Sequence, residues 1–227
     1  GAELVKRDIT DKDSIAKALE DGKVEAAVHL VGILAETGKA TFEAIHTQGT
    51  RNMVETCKAK GIKRFIHISA LGTRENARSK YHKTKWAAEE IIRASGLGYT
   101  IFRPSVMFGK EDKFTNLFAG IIKISPFIMI PGNGQNKMQP VSVKDLASAM
   151  TMTVKDPRHI NKVYEIGGPE KLTFDQIIDA ISRVLGKIRL KIHMPISLMR
   201  PGAAIAECIL RKPPITRDQL LMLEEDN

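Results

Sequence analysis

The sequence has few of the features that mark a secreted, membrane-spanning or metal-binding protein. It holds only two cysteines, Cys57 and Cys208, which lie far apart and lack the spacing of metal ligands. This usage favours two free thiols in a reducing compartment over a disulfide or a zinc site. No apolar run reaches the roughly 18 residues of a membrane-spanning helix, because Lys123 and Pro126 interrupt the most hydrophobic segment, 114–130. We therefore expect no transmembrane helix, no signal peptide at the start of the chain and no metal site.

The composition is that of a folded globular chain. Of the 227 residues, 43% are hydrophobic and 27% are charged, which suffices for one large domain or two small ones. The formal net charge is +9, but the basic residues are scattered and come with no RNA-binding aromatic motif or zinc finger. We expect no nucleic acid partner, and a basic surface with a docking role fits the charge better.

Apolar strand segments alternate with helical patterns along the first half of the chain. The strands are predicted at 1–8, 26–32, 64–69 and 99–102, with helices over 14–19, 41–60 and from Tyr81 onward, a turn at Asp21-Gly22 and a helix stop at Gly61. This alternation predicts an α/β fold with a Rossmann-type, doubly wound parallel sheet. The carboxyl ends of its strands should meet in one crevice, where such sheets bind ligands.

Tyr81 and Lys85 form a Tyr-x-x-x-Lys motif at the start of one predicted helix. The two side chains stand one turn apart on the same face. An ammonium beside a phenol favours the phenolate, so Lys85 should lower the pKa of Tyr81 and let it give or take a proton. The alternative is a surface pair on an ordinary amphipathic helix, because so short a motif often occurs without function.

The second half of the chain is less regular. We predict a dinucleotide-binding domain over 1–112 and a smaller, irregular substrate or interaction domain over 113–227, with 139–155 returning to the first. A strand is predicted at 163–168, Ser142 should be the N-cap of a helix over 143–153, and Thr173 and Thr216 should begin capping boxes. The apolar segment 195–210 fits core packing best, with a membrane surface or a partner as alternatives.

Several segments, in their order and spacing, resemble the extended or atypical branch of the short-chain dehydrogenase/reductase superfamily. Within it, 69–72, 103–112 and 213–220 look most like the nucleotide-binding accessory subunit of respiratory complex I and its bacterial relatives. The resemblance implies a bound NAD or NADP, with NADPH slightly favoured, and respiratory-chain subunits as partners, while the basic charge leaves a membrane surface as another partner. The cysteine usage fits a cytoplasmic location, or the matrix side of mitochondria if the protein is organellar. The matching segments are 29–32, 46–52, 61–69, 81–85, 103–109 and 139–141.

The resemblance also implies roles for individual residues. Tyr81 would be the catalytic acid or base, Lys85 would bind the nicotinamide ribose, and Ser69 would orient a substrate oxygen. The remaining cofactor-binding residues would be Asp8 and Ile9 at the adenine, Leu30, Val31 and Gly32 along the ribose and pyrophosphate, and Pro104, Ser105 and Val106 beside the nicotinamide.

The chain departs from this family in two places. His46 stands where many relatives carry an asparagine, and we favour a surface histidine there over a proton relay. The glycine-rich turn that binds the pyrophosphate in the superfamily is absent, and neither 132–134 nor 167–168 has the context to replace it. We therefore expect an additional β-α-β unit of roughly 30 residues or more before Gly1. Without that unit, the sheet should expose an apolar edge.

Three functions remain open at this point. The first is hydride transfer to or from a carbonyl or alcohol carbon, with Tyr81 as the acid or base. The second is a non-catalytic subunit that holds a nucleotide within a respiratory NADH dehydrogenase or aids its assembly. The third is an NAD-dependent epimerase or dehydratase. The fold does not choose among them, and the substrate, the preference between NAD and NADP and the oligomeric state are not readable from the sequence.

Overall fold

The computed structural model describes residues 3–19, 24–210 and 213–226. The chain divides into two compact units, one formed by Gly1–Arg103 with Ala149–Tyr164 and the other by Pro104–Ser148 with Glu165–Asn227. The described helices are α1 (Lys12–Ala18), α2 (Gly49–Ala59), α3 (Lys80–Arg93), α4 (Phe114–Ile124), α5 (Val143–Val154), α6 (Phe174–Val184), α7 (Ile196–Ile209) and α8 (Arg217–Met222). The described strands are β1 (Ala26–His29), β2 (Arg64–Ile68), β3 (Gly98–Pro104), β4 (Met107–Phe108), β5 (Phe127–Pro131), β6 (Lys137–Met138), β7 (Val141–Ser142), β8 (Lys162–Ile166), β9 (Leu172–Thr173) and β10 (Leu190–Met194).

A four-stranded sheet in the order β1-β2-β3-β8 is central to the first unit, although the last two residues of β8 belong to the second. Strands β1, β2 and β3 are parallel, which confirms the predicted α/β sheet. The first four residues of β2 are buried, as expected for a strand covered on both faces. The core of this unit includes Val54, Cys57, Phe65, Ile92 and Ile101.

The strand that we predicted at 1–8 is wrong. Residues 3–8 form no strand, because no strand in the described part of the chain pairs with them and a strand needs a hydrogen-bonded neighbour. β1 is consequently at one edge of the described sheet, and Val28 on this strand is 45% exposed. The predicted turn at Asp21-Gly22 lies outside the described residues.

Arg64, at the start of β2, joins the two stretches of sequence that make the first unit. Its guanidinium donates to the carbonyls of Thr153 and Val154 at the end of α5, at 2.7 and 3.2 Å. It also donates to the carbonyl of Gly98 at 2.7 Å and to the hydroxyl of Thr100 at 2.6 Å. A cation at a helix C-terminus satisfies open carbonyls and compensates the helix dipole. Arg64 thereby fixes the end of α5 against β2 and β3.

The predicted helix starts and stops are confirmed at several positions. Thr173 and Thr216 each begin a capping box, and the hydroxyl of Ser142 accepts from the backbone N–H of Lys144 at the start of α5. The helix predicted over 41–60 begins as a π-helical segment, Glu43–Gln48, and continues as α2. Gly61 follows it at φ +72°, a left-handed conformation that glycine adopts without strain.

In the second unit, β5 and β10 form a parallel pair, and α4 and α6 pack together around Ile122, Ile128, Ile130, Phe174 and Ile178. The preference for core packing of the segment 195–210 is wrong for most of α7, since Ala203 is its only fully buried described residue. Leu198, Ile205 and Ile209 on this helix are 67, 61 and 74% exposed. Among the described residues, no helix is both long and apolar enough to cross a membrane.

Candidate functional site

The Tyr-x-x-x-Lys motif lies in the first turns of α3. Ser79 caps this helix, and its hydroxyl accepts from the backbone N–H of His82 at 3.2 Å. Tyr81 and Lys85 both point inward, with relative exposures of 8 and 3%. They are therefore not the surface pair that we considered as an alternative. Their burial gives both groups unusual proton affinities.

Lys85 brings a buried cation to the carboxyl end of β2. Its Nζ donates to the carbonyl of Ile68 at 2.8 Å, which accounts for one of the three N–H bonds of the ammonium. Burial lowers the pKa of Lys85 from 10.5 to about 8, while Glu89 one turn further along α3 raises it. Lys85 therefore remains mostly protonated at neutral pH and can donate hydrogen bonds to a ligand hydroxyl.

The pKa of Tyr81 shifts in the direction opposite to our expectation. Burial raises the pKa of its phenol from 10 to about 12, whereas we expected Lys85 to lower it. The loss of hydration around a buried phenolate is the dominant effect here. The ring of Tyr81 packs edge-on against Phe42, His46 and His82, with centroid distances of 5.9, 5.3 and 5.3 Å. The phenol is therefore in its neutral, proton-donating form at neutral pH.

His46 is buried, so our preference for a surface histidine is wrong. Its ring is 1% exposed and stacks on Phe42 at 5.4 Å. Its Nε2 accepts from the backbone N–H of Ile33 at 3.0 Å, so the neutral ring carries its hydrogen on Nδ1, which donates to Thr84 Oγ1 at 3.0 Å. Burial lowers the pKa of His46 to about 3, and the charge of Lys85 adds to this effect. The neutral ring ties the loop after β1 to α3.

Gly32 keeps open the space in front of these two side chains. A Cβ atom at this position would lie 3.4 Å from Nζ of Lys85 and 3.5 Å from Nε2 of His46. Any larger residue would therefore fill the space that the ammonium faces. We call the space bounded by Gly32, His46 and Lys85 the cradle. Gly32 follows β1 and Ile68 ends β2, so the cradle lies at the carboxyl edge of the sheet, the edge at which such sheets bind ligands.

Ser69 is buried directly after β2. Its backbone N–H donates to the carbonyl of Phe102 at 2.7 Å, and its hydroxyl donates to Thr73 Oγ1 at 3.3 Å. The hydroxyl therefore already has an intramolecular partner. To orient a substrate oxygen, the hydroxyl of Ser69 would have to break its hydrogen bond to Thr73 and donate to the substrate instead.

The structure separates the other predicted cofactor-binding residues into three groups. Asp8 and Ile9 lie beside α1 and α2: the carboxylate of Asp8 accepts from Thr10, and the carbonyl of Ile9 accepts from Asn52 at 3.0 Å. Leu30 and Val31 lie in the loop after β1 and are 58 and 42% exposed. Pro104 ends β3, Ser105 is buried with its hydroxyl accepting from the backbone N–H of Gln139, and the carbonyl of Val106 accepts from Val141.

A second pair of buried histidines lies under the site and escaped the sequence reasoning. His29 and His67 are opposite each other in the register of β1 and β2, and their rings stack with centroids 5.1 Å apart. His29 Nε2 lies 3.0 Å from the hydroxyl of Thr50, and no side chain in the described part of the chain bonds to either nitrogen of His67. The sequence did contain a signal for this pair, because each histidine is the fourth residue of its strand and the two strands are adjacent and parallel.

With this geometry, the chain belongs to the NAD-dependent epimerase/dehydratase family, whose model matches residues 1–167. The resemblance predicted from the motifs is thereby confirmed. Among solved structures, the chain is similar to a UDP-glucose 4-epimerase from Thermotoga maritima, determined with UDP-glucose. The TM-score is 0.72 at 20% identity, with 86% of this chain and 72% of that chain covered.

Two curated relatives are described as subunit 9 of the NADH dehydrogenase [ubiquinone] 1 alpha subcomplex, mitochondrial. The protein from Dictyostelium discoideum is 29% identical over 219 residues, covering 95% of this chain and 60% of that protein. The protein from Arabidopsis thaliana is 29% identical over 227 residues, covering 98% and 56%. The chain therefore spans less than two thirds of the length of these relatives.

The residues of the cradle fit one end of a nicotinamide dinucleotide. A buried ammonium with unused N–H bonds can donate to ribose hydroxyls, and the glycine lets such a ring approach closely. The pyrophosphate end has no comparable anchor in the described residues, because the glycine-rich turn of this family is not among them. No group of three or more metal-binding side chains occurs in the same residues.

Replacing Lys85 by Met should stabilise the unliganded protein by about 2 kcal/mol at pH 7. The lowered pKa, about 8 against 10.5, means that the unfolded chain holds this proton more strongly, a penalty of roughly 3 kcal/mol that is complete below pH 8. The lost hydrogen bond to Ile68 offsets about 1 kcal/mol of the gain. Wild-type stability should rise between pH 8 and 10.5 as this penalty disappears, and urea unfolding at both ends of that range measures it.

The matched control is Lys83→Met, which changes an exposed lysine on the same helix. We expect its free energy of unfolding to stay within about 0.5 kcal/mol of the wild type at pH 7. A Lys85→Met variant that is less stable than the wild type would contradict the assignment of Lys85 as a buried cation retained at a cost in stability.

Proposed function

We propose that the first unit binds NAD(H) or NADP(H) at the cradle of Gly32, His46 and Lys85, and that the protein holds this nucleotide as an accessory subunit of a respiratory NADH dehydrogenase. The observation that carries the proposal is the buried ammonium of Lys85, which is retained despite its cost and faces a space kept open by Gly32. Buried charges that lower stability are most often kept for binding or catalysis.

The proposal gives each part of the cradle a task. Lys85 donates hydrogen bonds to the hydroxyls of the nicotinamide ribose. His46 keeps the backbone of Ile33, and with it Gly32, at a fixed distance from Lys85. Leu30 and Val31 cover the ribose and pyrophosphate with side chains that are exposed in the unliganded chain. The same proposal assigns Asp8 and Ile9 to the adenine end.

Three features support retention of the nucleotide over its turnover. The pKa of Tyr81 is raised to about 12, so the phenol is a weak proton donor at neutral pH. The hydroxyl of Ser69 is bound to Thr73 and does not extend freely toward a substrate. The relatives named as NADH dehydrogenase subunits match over nearly the whole of this chain. We extend to this chain their mitochondrial location and an assembly with respiratory-chain subunits, and we favour NADPH over NADH.

Hydride transfer is the second candidate, and one observation favours it. Tyr81 and Lys85 occupy adjacent turns of α3, and the pKa of Lys85, about 8, lies close to the working range of a proton relay. A bound nicotinamide supplies the hydride donor or acceptor. Tyr81 would then give its proton to a carbonyl oxygen, and Lys85 would stabilise the phenolate that remains. The epimerase structure with UDP-glucose extends this candidate to sugar nucleotides.

One experiment separates the two candidates. The natural protein is purified and denatured, and the released nucleotides are identified and quantified by mass spectrometry. The native protein is also incubated with excess isotope-labelled NADP(H) and NAD(H) to measure exchange. We expect close to one nucleotide per chain and no exchange over hours. Lys85→Met should bind the nucleotide at least about one hundredfold more weakly and exchange it, since a buried charged hydrogen bond is worth roughly 3 kcal/mol, whereas Lys83→Met should retain the nucleotide fully.

Other outcomes lead to other conclusions. Rapid exchange together with reduction of a carbonyl substrate, abolished in Tyr81→Phe, would replace the holding function by hydride transfer. A protein that carries no nucleotide and binds none in a titration would overturn both candidates. Tyr81→Phe with unchanged nucleotide content and unchanged exchange is the result that the holding function requires.

A further inference from the structure

In the second unit, four aliphatic side chains near one another are almost fully exposed. Ile124 ends α4, Val184 ends α6, Ile188 lies in the following loop and Leu190 begins β10, and they are 87, 87, 96 and 69% exposed. Folded proteins scatter single apolar residues over their surface, but a group of protruding aliphatic side chains marks an interaction site.

Hydrogen bonds hold these side chains together as one surface. In the loop between α6 and β10, Nζ of Lys187 donates to the carbonyl of Lys123 at 3.0 Å, and Nε of Arg189 donates to the carbonyl of Ile122 at 2.8 Å. The loop is therefore fixed against the end of α4. We name this surface the basic tip and define it by Lys123, Ile124, Arg183, Val184, Lys187, Ile188, Arg189 and Leu190.

The charge of the basic tip has one sign. The segments 113–144 and 180–206, which supply all of its residues, contain no aspartate or glutamate. The adjacent Asp179 is paired with Lys191 at 2.8 Å. The two helix C-termini at the tip contribute roughly half a negative charge each, which leaves a net charge of about +3 from its four cations. Arg183, Lys187 and Arg189 also line a cavity of about 500 Å³ beside the exposed Ile188.

The combination of four cations with four exposed aliphatic side chains favours some classes of ligand over others. A free phosphate would pair with the cations but would leave the four aliphatic side chains in water. An anionic bilayer satisfies both, because its headgroups accept from Lys and Arg while its acyl boundary receives apolar side chains.

We propose that the basic tip docks the protein on a bilayer that contains anionic phospholipids. Ile124 and Ile188 enter the boundary between headgroups and acyl chains, and Lys123 and Arg183 contact the headgroups. This surface lies wholly within the second unit, so its test is independent of nucleotide binding.

Vesicle sedimentation tests the proposal with the full chain. Vesicles of phosphatidylcholine with about one third phosphatidylserine are compared with vesicles of phosphatidylcholine alone. We expect binding to the anionic vesicles that weakens as salt is raised, and at least about tenfold weaker binding to the neutral ones. Equal binding to both vesicle types, or binding to neither, would overturn the proposal, and the latter would leave an acidic protein as the partner.

Matched variants locate the binding surface. Ile188→Ser and the double variant Lys123→Ala/Arg183→Ala should each weaken binding to the anionic vesicles about tenfold or more. The controls are Met152→Ser, which changes a methionine that is 74% exposed in the first unit, and the double variant Lys155→Ala/Lys162→Ala of the same unit. Controls that lose as much binding as the tip variants would overturn the assignment to the basic tip. All five proteins should share one thermal unfolding midpoint.

Discussion

At pH 5 the protein should be at least about 4 kcal/mol less stable than at pH 7, because His29 and His46 contribute roughly 2 kcal/mol each and His67 adds to the loss in the same direction. The three rings are 2, 1 and 1% exposed. Burial lowers the pKa of His29 and His46 to about 3 and that of His67 well below its ordinary value, and the charge of Lys85 lowers all three further. A loss of this size is a large part of the stability of an ordinary domain.

The direction follows from where the protons bind. The pKa values are lower in the folded than in the unfolded chain, so the unfolded chain binds more protons as pH falls below about 6.5. Stability therefore falls with pH across that window, and the penalty for His29 and His46 is complete only near pH 3. Urea unfolding at half-unit steps between pH 7 and pH 5 measures the slope, which should approach three protons per molecule.

His67→Phe is the informative variant, because no described side chain bonds to the ring nitrogens of His67. We expect its loss of stability between pH 7 and pH 5 to be smaller than that of the wild type. The control is His193→Gln, which changes an exposed ring paired with Asp175 and leaves the buried three in place. A His67→Phe variant with the wild-type slope would contradict the assignment.

Removing the buried carboxylate of Glu89 should destabilise the protein by about 3–5 kcal/mol. This side chain is 0% exposed and accepts from Nε and Nη2 of Arg103 at 2.9 and 2.8 Å and from Nη2 of Arg93 at 2.5 Å. Both guanidinium groups also lie over the ring of Trp86, at 4.9 and 5.7 Å. The cluster attaches α3 to β3, and Glu89→Ala would leave two partly buried cations without their shared anion.

The neighbouring Glu90 provides a close control for Glu89. It also pairs with Arg93, at 2.6 Å, but its side chain is 55% exposed. Glu90→Ala should cost no more than about 0.5 kcal/mol, since solvent screens exposed ion pairs. Chemical unfolding of both variants at pH 7 compares them directly. Equal losses in the two variants would show that burial of the carboxylate does not govern its contribution.

The glutamate also connects stability to the cradle. Glu89 raises the pKa of Lys85, so Glu89→Gln should lower the pKa of the ammonium further and reduce its protonated fraction at neutral pH. Helix α3 therefore carries the ion-pair cluster, the buried lysine and the tyrosine. A change in the ion-pair cluster alters the pKa of Lys85.

Local patterns in the sequence were sufficient for many of the helices and strands. Continuous apolar runs marked β2 and β3, and serine or threonine caps marked α5, α6 and α8. Gly61 adopts a left-handed conformation where we predicted a helix stop. These features depend on residues that are neighbours in the chain, so propensity and spacing identify them without knowledge of the tertiary contacts.

Features that depend on distant contacts were missed. β5 and β10 pair in parallel with Phe127 opposite Leu190, and nothing in the sequence of either segment predicts which strand it pairs with. His46 is buried because Phe42, Thr84 and Ile33 surround it, and an amphipathic pattern could not show that. The direction of the Tyr81 pKa shift likewise depends on how completely the phenol is desolvated, which the spacing to Lys85 does not report.

The bonds that Arg64 makes to Thr153 and Val154 have a consequence for synthesis on the ribosome. The first unit needs a partner that lies 90 positions further along the chain, and β8 completes its sheet later still. Domains generally fold as units while the chain emerges, at roughly 5–20 residues per second. For several seconds the nascent chain must therefore hold an incomplete sheet while the intervening segment, 104–148, is made. That interval is when a chaperone would have its longest access to the unpaired edge of β3.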